Sequence, residues 1–143
     1  MDTPLLTTLV RSLHLDIRRQ LLAELQAAGH PTLTAVHMYV FQSPGPDGAR
    51  PTELAARTNM TKQAMNHILA RLERDKYLDR VPAPLDGRGT VLRLTERGRD
   101  VERIMVEGSY RMERDWAKLL GRDRVEELRQ AIRELDAVAT DAP

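Results

Sequence analysis

The side chains whose types and spacing can do chemistry gather between residues 61 and 88. Lys62, Gln63, Asn66, His67 and Arg71 recur on one side of a helical pattern, and Arg88 stands between Gly87 and Gly89. Gln63 and Asn66 carry amides suited to the N6 and N7 edge of adenine, and Lys62 can reach guanine or a phosphate. Most of this face falls in the first two turns of its helix, the end that a recognition helix inserts into a major groove. Such a composition suits base reading rather than phosphate binding alone. Arg88, on a narrow turn, suits an adjacent minor groove, where negative potential favours guanidinium.

Two helices and a hairpin are needed to hold these residues. Thr52 offers an N-cap hydroxyl to a short helix whose buried side is Leu54, Ala55 and the Thr58 methyl. Asn59 stands where the chain must reverse, and asparagine tolerates the left-handed backbone of such a turn. Thr61 offers a second N-cap, after which Met65, Ile68, Leu69 and Leu72 recur at i, i+3, i+4, i+7 and predict one buried helical face. Thr52 and Thr61, at the helix starts, join Lys62, Gln63, Asn66, His67, Arg71 and Arg88 as candidate DNA contacts. Residues 78–81 then read as a strand, Pro82 and Pro84 bar its extension as an interior strand, and residues 90–95 read as the return strand with Leu92 and Leu94 on one face. Asp86, Gly87, Arg88 and Gly89 form the tip between them. The glycines permit a sharp turn, and Asp86 is expected to orient Arg88 or cap the turn, because phosphates would repel its charge.

Ordinary explanations compete with each feature. Met65, Ile68, Leu69 and Leu72 are core residues. Taken alone, Lys62, Gln63, Asn66 and His67 would as readily be a solvated face, and it is the adjoining basic hairpin that favours a nucleic acid. Arg71 and Arg74 sit near Glu73 and Asp75, with which surface arginines commonly pair; Arg71 is kept as a phosphate candidate.

Charge is uninformative for the whole chain, at +1, until it is divided. Residues 50–99 hold 11 basic against 6 acidic residues, a net +5, and the rest holds 11 against 15, a net −4. The positive half contains the reading helix and the hairpin, as expected of a protein that docks one lobe on a polyanion.

The flanks are helical. Leu6, Leu9, Val10, Leu13, Ile17, Leu21 and Leu25 predict a long amphipathic helix stopping near Gly29 and Pro31. A second long helix, from Arg97 to about Leu120, carries Val101, Ile104, Met105, Met112 and Leu119. A last one follows Gly121 and Asp123, with Val125, Leu128, Ile132, Leu135 and Ala139 as its seam. At 143 residues the chain fits one ordinary domain, and helices so arranged would leave much apolar surface uncovered in a single copy. The terminal helices are therefore expected to interdigitate with those of a second copy. The expected fold is mainly α with a small β-wing: a winged helix-turn-helix lobe over residues 32–96, and a helical dimerisation lobe built from both termini, residues 5–30 and 97–140.

Several function classes recede. The chain has no cysteine, which excludes disulfides, thiolate metal sites and thiol-based peroxide sensing. His14, His30, His37 and His67 show no ligand spacing, although a metal-responsive regulator using histidines stays as an alternative. No nucleophile–base pair, phosphate-cradling glycine loop or carboxylate pair of credible spacing points to an enzyme, and no cofactor is expected. No apolar run is long enough to span a bilayer and no signal-peptide pattern opens the sequence, so a cytoplasmic location is expected.

The run Glu53-Leu54-Ala55 with Met60-Thr61-Lys62-Gln63-Ala64, then Leu69-Ala70-Arg71-Leu72-Glu73, and finally Asp86-Gly87-Arg88 before Leu92-Arg93-Leu94-Thr95-Glu96-Arg97-Gly98, resembles the MarR family of bacterial transcription regulators. The wing motif together with the Leu-x-Leu-Thr-x-x-Gly segment carries most of the likeness, which extends over nearly the whole chain. Two departures stand out: Asn59 occupies a place where such proteins often have glycine, and the loop 43–51 is long and rich in proline and glycine. The resemblance implies a two-fold homodimer on double-stranded DNA with a near-palindromic operator, most often a repressor. It also implies a small aromatic or anionic effector held between the dimer and DNA lobes, for which His14, Arg18, His37, Tyr39 and Tyr110 are the candidate contacts, Arg18 meeting an anionic group. The competing interpretation is a winged-helix module whose exposed helix meets protein instead.

Overall fold

The computed structural model describes residues 3–42, 44–84 and 88–141. Their elements are α1 (Leu6–Ala27), α2 (Ala35–Phe41), α3 (Pro51–Arg57), α4 (Lys62–Arg74), β1 (Leu78–Pro82), β2 (Thr90–Leu94), α5 (Glu96–Leu120) and α6 (Arg122–Thr140). This is the mainly helical fold with a two-stranded β-wing that the sequence predicts. The chain divides into two compact units, residues 1–106 and 107–143, and the boundary falls within α5.

In the first unit, three helices end in the same way, on a left-handed residue that turns the chain back onto the last helical carbonyls. After α1 that residue is Gly29, with φ of +101°, and the His30 amide donates to the Leu25 carbonyl at 3.0 Å. After α3 it is Asn59, at +54°, as its residue type predicts, with the Met60 amide on the Ala55 carbonyl at 2.9 Å. After α4 it is Lys76, at +66°, with the Tyr77 amide on the Leu72 carbonyl at 2.9 Å. Lysine has no preference for this backbone, so nothing in the sequence signals the turn.

Helix starts divide the expectations. Thr61 caps α4 as predicted, its hydroxyl accepting from the Ala64 amide at 3.1 Å. Thr52 does not cap α3: that helix begins one residue earlier, with Arg50 at the N-cap and Pro51 in the first turn, and no side chain caps it. Proline at this first position has no N–H to leave unpaired and arrives with φ already set for the helix. At α2 the Thr34 amide donates to His37 Nδ1 at 3.0 Å, so a histidine completes the capping box usually closed by Glu or Gln.

The hairpin is antiparallel, registering Leu78 on Leu94 and Pro82 on Thr90. The far edge of β2 is covered by the preceding loop. Gly48 donates to the Leu92 carbonyl at 2.7 Å, Leu92 returns a bond to the Ala49 carbonyl at 2.9 Å, and Asp47 accepts from the Leu94 amide at 2.9 Å. The proline- and glycine-rich loop is thus a partner of the wing. Leu25, Leu33, Val40 and Phe41 fill the core together with Leu54, Met65, Leu69, Leu72, Tyr77, Leu78, Leu92 and Val101.

The predicted stripe of α1 is buried only toward its C-terminal end, at Leu21 and Leu25; Leu6, Leu9, Val10 and Leu13 are exposed. In the second unit, Met112 and Val125 are buried, and Arg129 grips Glu113 with both guanidinium nitrogens, at 2.7 and 3.4 Å. There Leu119, Leu128, Ile132, Leu135 and Val138 stand in solvent, Leu119 at 81% exposure. The seam predicted for α6 is therefore buried at Val125 and bare from Leu128 onward. Among the described residues no helix is long and apolar enough to cross a membrane.

Candidate nucleic-acid interface

The reading face of α4 follows from its cap and its stripe. With Met65, Leu69 and Leu72 buried and Ile68 half-buried, the remaining positions must point outward, and Lys62, Gln63, Asn66 and His67 are all exposed. Among the described residues these four side chains have no hydrogen-bond or ion-pair partner, so their polar atoms are satisfied by water and available to a ligand. A buried polar group without a partner would be costly, whereas an exposed one exchanges water for a ligand cheaply. Thr61 presents its hydroxyl to the helix, so as a DNA contact it has its backbone and methyl to offer. Thr52 is exposed in the first turn of α3.

Arg71 behaves differently. Its Nε donates to Asp75 Oδ2 at 3.0 Å, one turn later, the local pairing that competes with phosphate contact. Both side chains are partly exposed, so this ion pair is weak and a phosphate can displace it. Arg80 is similarly paired with Glu73, tying β1 to the end of α4.

At the wing, Arg88 is exposed and its carbonyl accepts from Arg50 Nη1 at 3.2 Å. Gly89 takes φ of +68°, and a β-carbon there would press against the same Arg50 nitrogen. The N-cap residue of α3 is thereby bonded to the wing, a link across 38 residues that no local signal in the sequence announces. Asp86, expected to orient Arg88, and Gly87 lie outside the described residues. Lys62 at the start of α4, Arg88 beside the wing tip and Arg93 of β2 are all exposed basic residues of the first unit.

Of the expected effector contacts, two meet. The Arg18 guanidinium lies over the Tyr39 ring, 4.7 Å from its centroid. His14 is exposed on α1 and has no partner among the described residues. His37 is half-buried, and burial foremost, then the Arg71 charge, push its pKa below the ordinary histidine value, against a smaller opposing pull from Asp75. Its Nδ1 is therefore free to accept from Thr34. Tyr110 belongs to the second unit and is 60% exposed. No three His, Cys, Asp or Glu among the described residues are grouped to hold a metal ion.

Sequence reasoning passed over a cluster beneath this surface. His30 is buried, with Nδ1 2.9 Å from the Tyr77 hydroxyl and Nε2 2.8 Å from Asp100 Oδ2.

Comparison with known proteins agrees with this geometry. Residues 42–89 match the family model described as the MarR family. Among solved structures, Streptococcus pneumoniae FabT in complex with DNA is similar with a TM-score of 0.79 at 18% identity, covering 94% of this chain and 95% of that one. Wild-type apo MarR from E. coli is similar with a TM-score of 0.69 at 22% identity over 94% and 98%. A transcriptional regulator from Thermotoga maritima gives 0.60 at 24% identity over 92% of each chain. These likenesses show the fold. No curated protein matches the chain.

Proposed function

We propose that the chain, whose residues 42–89 match the MarR family model, is a homodimeric, sequence-specific DNA-binding transcription regulator of that family, a repressor released by a small effector. The observation that carries this is the row Lys62, Gln63, Asn66 and His67, exposed and unpartnered among the described residues on a Thr61-capped helix beside a basic wing. Thr52, Thr61, Arg71 and Arg88 complete the proposed contact set. Amides read bases, and Lys62, Arg71 and Arg88 supply charge to phosphates or the minor groove. The similar FabT fold is recorded on DNA, which supports the docking.

Dimerisation is supported by the bare apolar faces of α1, at Leu6, Leu9, Val10 and Leu13, and of α6, at Leu128, Ile132, Leu135 and Val138. A two-fold pair would place its recognition helices in successive major grooves, roughly 10 base pairs apart, on a near-palindromic operator. For the effector, Arg18 stacked on Tyr39, with His14 and His37 nearby in sequence on the same helices, is the proposed anion and aromatic contact, and Tyr110 is proposed with them. An effector favouring the dimer whose helices are wrongly spaced lowers DNA affinity by linkage.

Selection of bound duplexes from a random pool, followed by titration of the winner at several salt concentrations, tests this. Inverted half-sites about one helical turn apart and a steep loss of affinity with salt are expected. Failure to enrich any sequence would overturn sequence-specific binding, and an enriched site without symmetry would overturn the two-fold arrangement.

A further inference from the structure

His30 is buried in the core beside the equally buried Tyr77, and both of its ring nitrogens are engaged. The Asp100 carboxyl is held below the usual carboxylate range, by its hydrogen bond from His30 first and from Arg103 second, so an anion faces Nε2 and takes its proton in a hydrogen bond. Burial pushes the Tyr77 hydroxyl up, against the opposing influence of Arg97, so that hydroxyl keeps its proton and has Nδ1 to donate it to. The chemistry of the two partners thus selects the Nε2–H tautomer.

Tyr77 is the junction of the reading surface. Its amide closes the end of α4 on Leu72, its carbonyl accepts from the Thr95 amide after β2 at 3.2 Å, and its ring meets Phe41 of α2 edge-on at 6.2 Å between centroids. The Arg97 guanidinium covers the ring at 4.3 Å, and the same arginine donates to the Asp75 carbonyl. His30 is what ties this junction to the last turn of α1 and to α5.

We propose that His30 is a positioning residue for DNA recognition: by bonding the Tyr77 hydroxyl at one ring nitrogen and Asp100 at the other it fixes where α4 ends and the wing begins, and hence the mutual placement of recognition helix and wing. The proposal rests on the DNA-binding function argued above. Loss of this link leaves phosphate contacts in place but loosens the register of helix and wing on the bases, so it acts on discrimination more than on attraction.

The test uses the full chain and two duplexes, one selected from a random pool and one of scrambled sequence. Tyr77→Phe keeps the ring, its contact with Phe41 and its place under Arg97, and removes only the hydroxyl. It is expected to weaken binding to the selected duplex about tenfold, while the scrambled duplex changes by less than about twofold. A purely structural role would lower the melting temperature and leave the ratio of the two affinities unmoved. In the wild-type chain, nitrogen-edited spectra of the histidine rings are expected to show His30 as the Nε2–H tautomer with Nδ1 accepting, both free and on the selected duplex. An unchanged affinity ratio in Tyr77→Phe, or the Nδ1–H tautomer at His30, overturns the proposal. A wild-type chain that prefers no duplex overturns the DNA-binding function itself, and this proposal with it.

Discussion

Gly98, in the first turn of α5, lies so close to Tyr77 that a β-carbon on it would overlap the tyrosine's carbonyl oxygen and crowd Leu94. The obstacle is backbone, which cannot swing aside as the end of a flexible side chain can. Gly98 is therefore a packing glycine: α5 can lie against the junction of α4 and the wing only where it has no side chain. Gly98→Ala is expected to destabilise the fold by about 1–3 kcal/mol, the cost of overpacking, despite alanine's better helix propensity. Chemical denaturation followed by circular dichroism measures this, and a gain in stability would mean that α5 shifts freely.

Arg88 offers charge from a turn whose carbonyl Arg50 holds. If it meets phosphate or the potential of a minor groove, Arg88→Ala weakens selected and scrambled duplexes alike and reduces the slope of log affinity against log salt by about one. Anisotropy titrations across a salt series read both quantities. Unaltered binding would remove Arg88 from the interface.

Gln63 and Asn66 are expected to behave in the opposite way, because amides read bases and carry no charge. Replacing either with alanine should cost roughly 1–3 kcal/mol on the selected site and relax preference at particular base pairs. Repeating the selection with each variant shows which positions lose information. Equal losses on every sequence would refute base reading by that residue.

What the sequence made legible was local. Thr61 capped, Asn59 turned, and the stripe from Met65 to Leu72 went inward because each signal acts within a turn or two of helix. Capping at Thr52 failed because Pro51, its neighbour, changes what the helix start requires. Lys76 adopts a left-handed backbone that its own side chain does not favour, imposed by the junction around it. His30 looked like an isolated histidine because its partners lie 47 and 70 residues away. The pairing of the loop 47–49 with β2 uses main-chain atoms, which every residue but proline offers, so composition cannot reveal it. The bare faces of α1 and α6 were visible as periodicity, yet a pattern alone does not say which part of a stripe its own chain covers.

His37 gives the fold a pH dependence whose sign can be worked out. Its folded-state pKa lies below the ordinary histidine value of 6.5, through burial first and Arg71 second, so the unfolded chain binds the proton more readily. The stabilisation is fully present above pH 6.5 and is lost as pH falls from there through the depressed folded value, when protonated Nδ1 can no longer accept from Thr34. His37→Gln should flatten this part of the profile while preserving the box, since glutamine is a usual residue at that position. Unfolding free energies measured from pH 5 to 8 decide it, and a variant as pH-sensitive as the parent would place the effect elsewhere.

Subunit association should respond to charge on faces far from the reading helix. Leu9 is 49% exposed on α1 and Ile132 is 55% exposed on α6, each within an apolar stripe. In a lone chain, Leu9→Glu or Ile132→Glu merely exchanges one exposed side chain for another, with an effect within about 0.5 kcal/mol. In a dimer that covers these stripes, each substitution occurs twice and forces a carboxylate into an apolar seam, a cost of several kcal/mol per site. Sedimentation at micromolar concentration is therefore expected to give twice the chain mass for the parent and the single-chain mass for the variants, with circular dichroism unchanged. Loss of dimerisation should also abolish selection of the paired half-sites while leaving weak, salt-sensitive binding by one lobe.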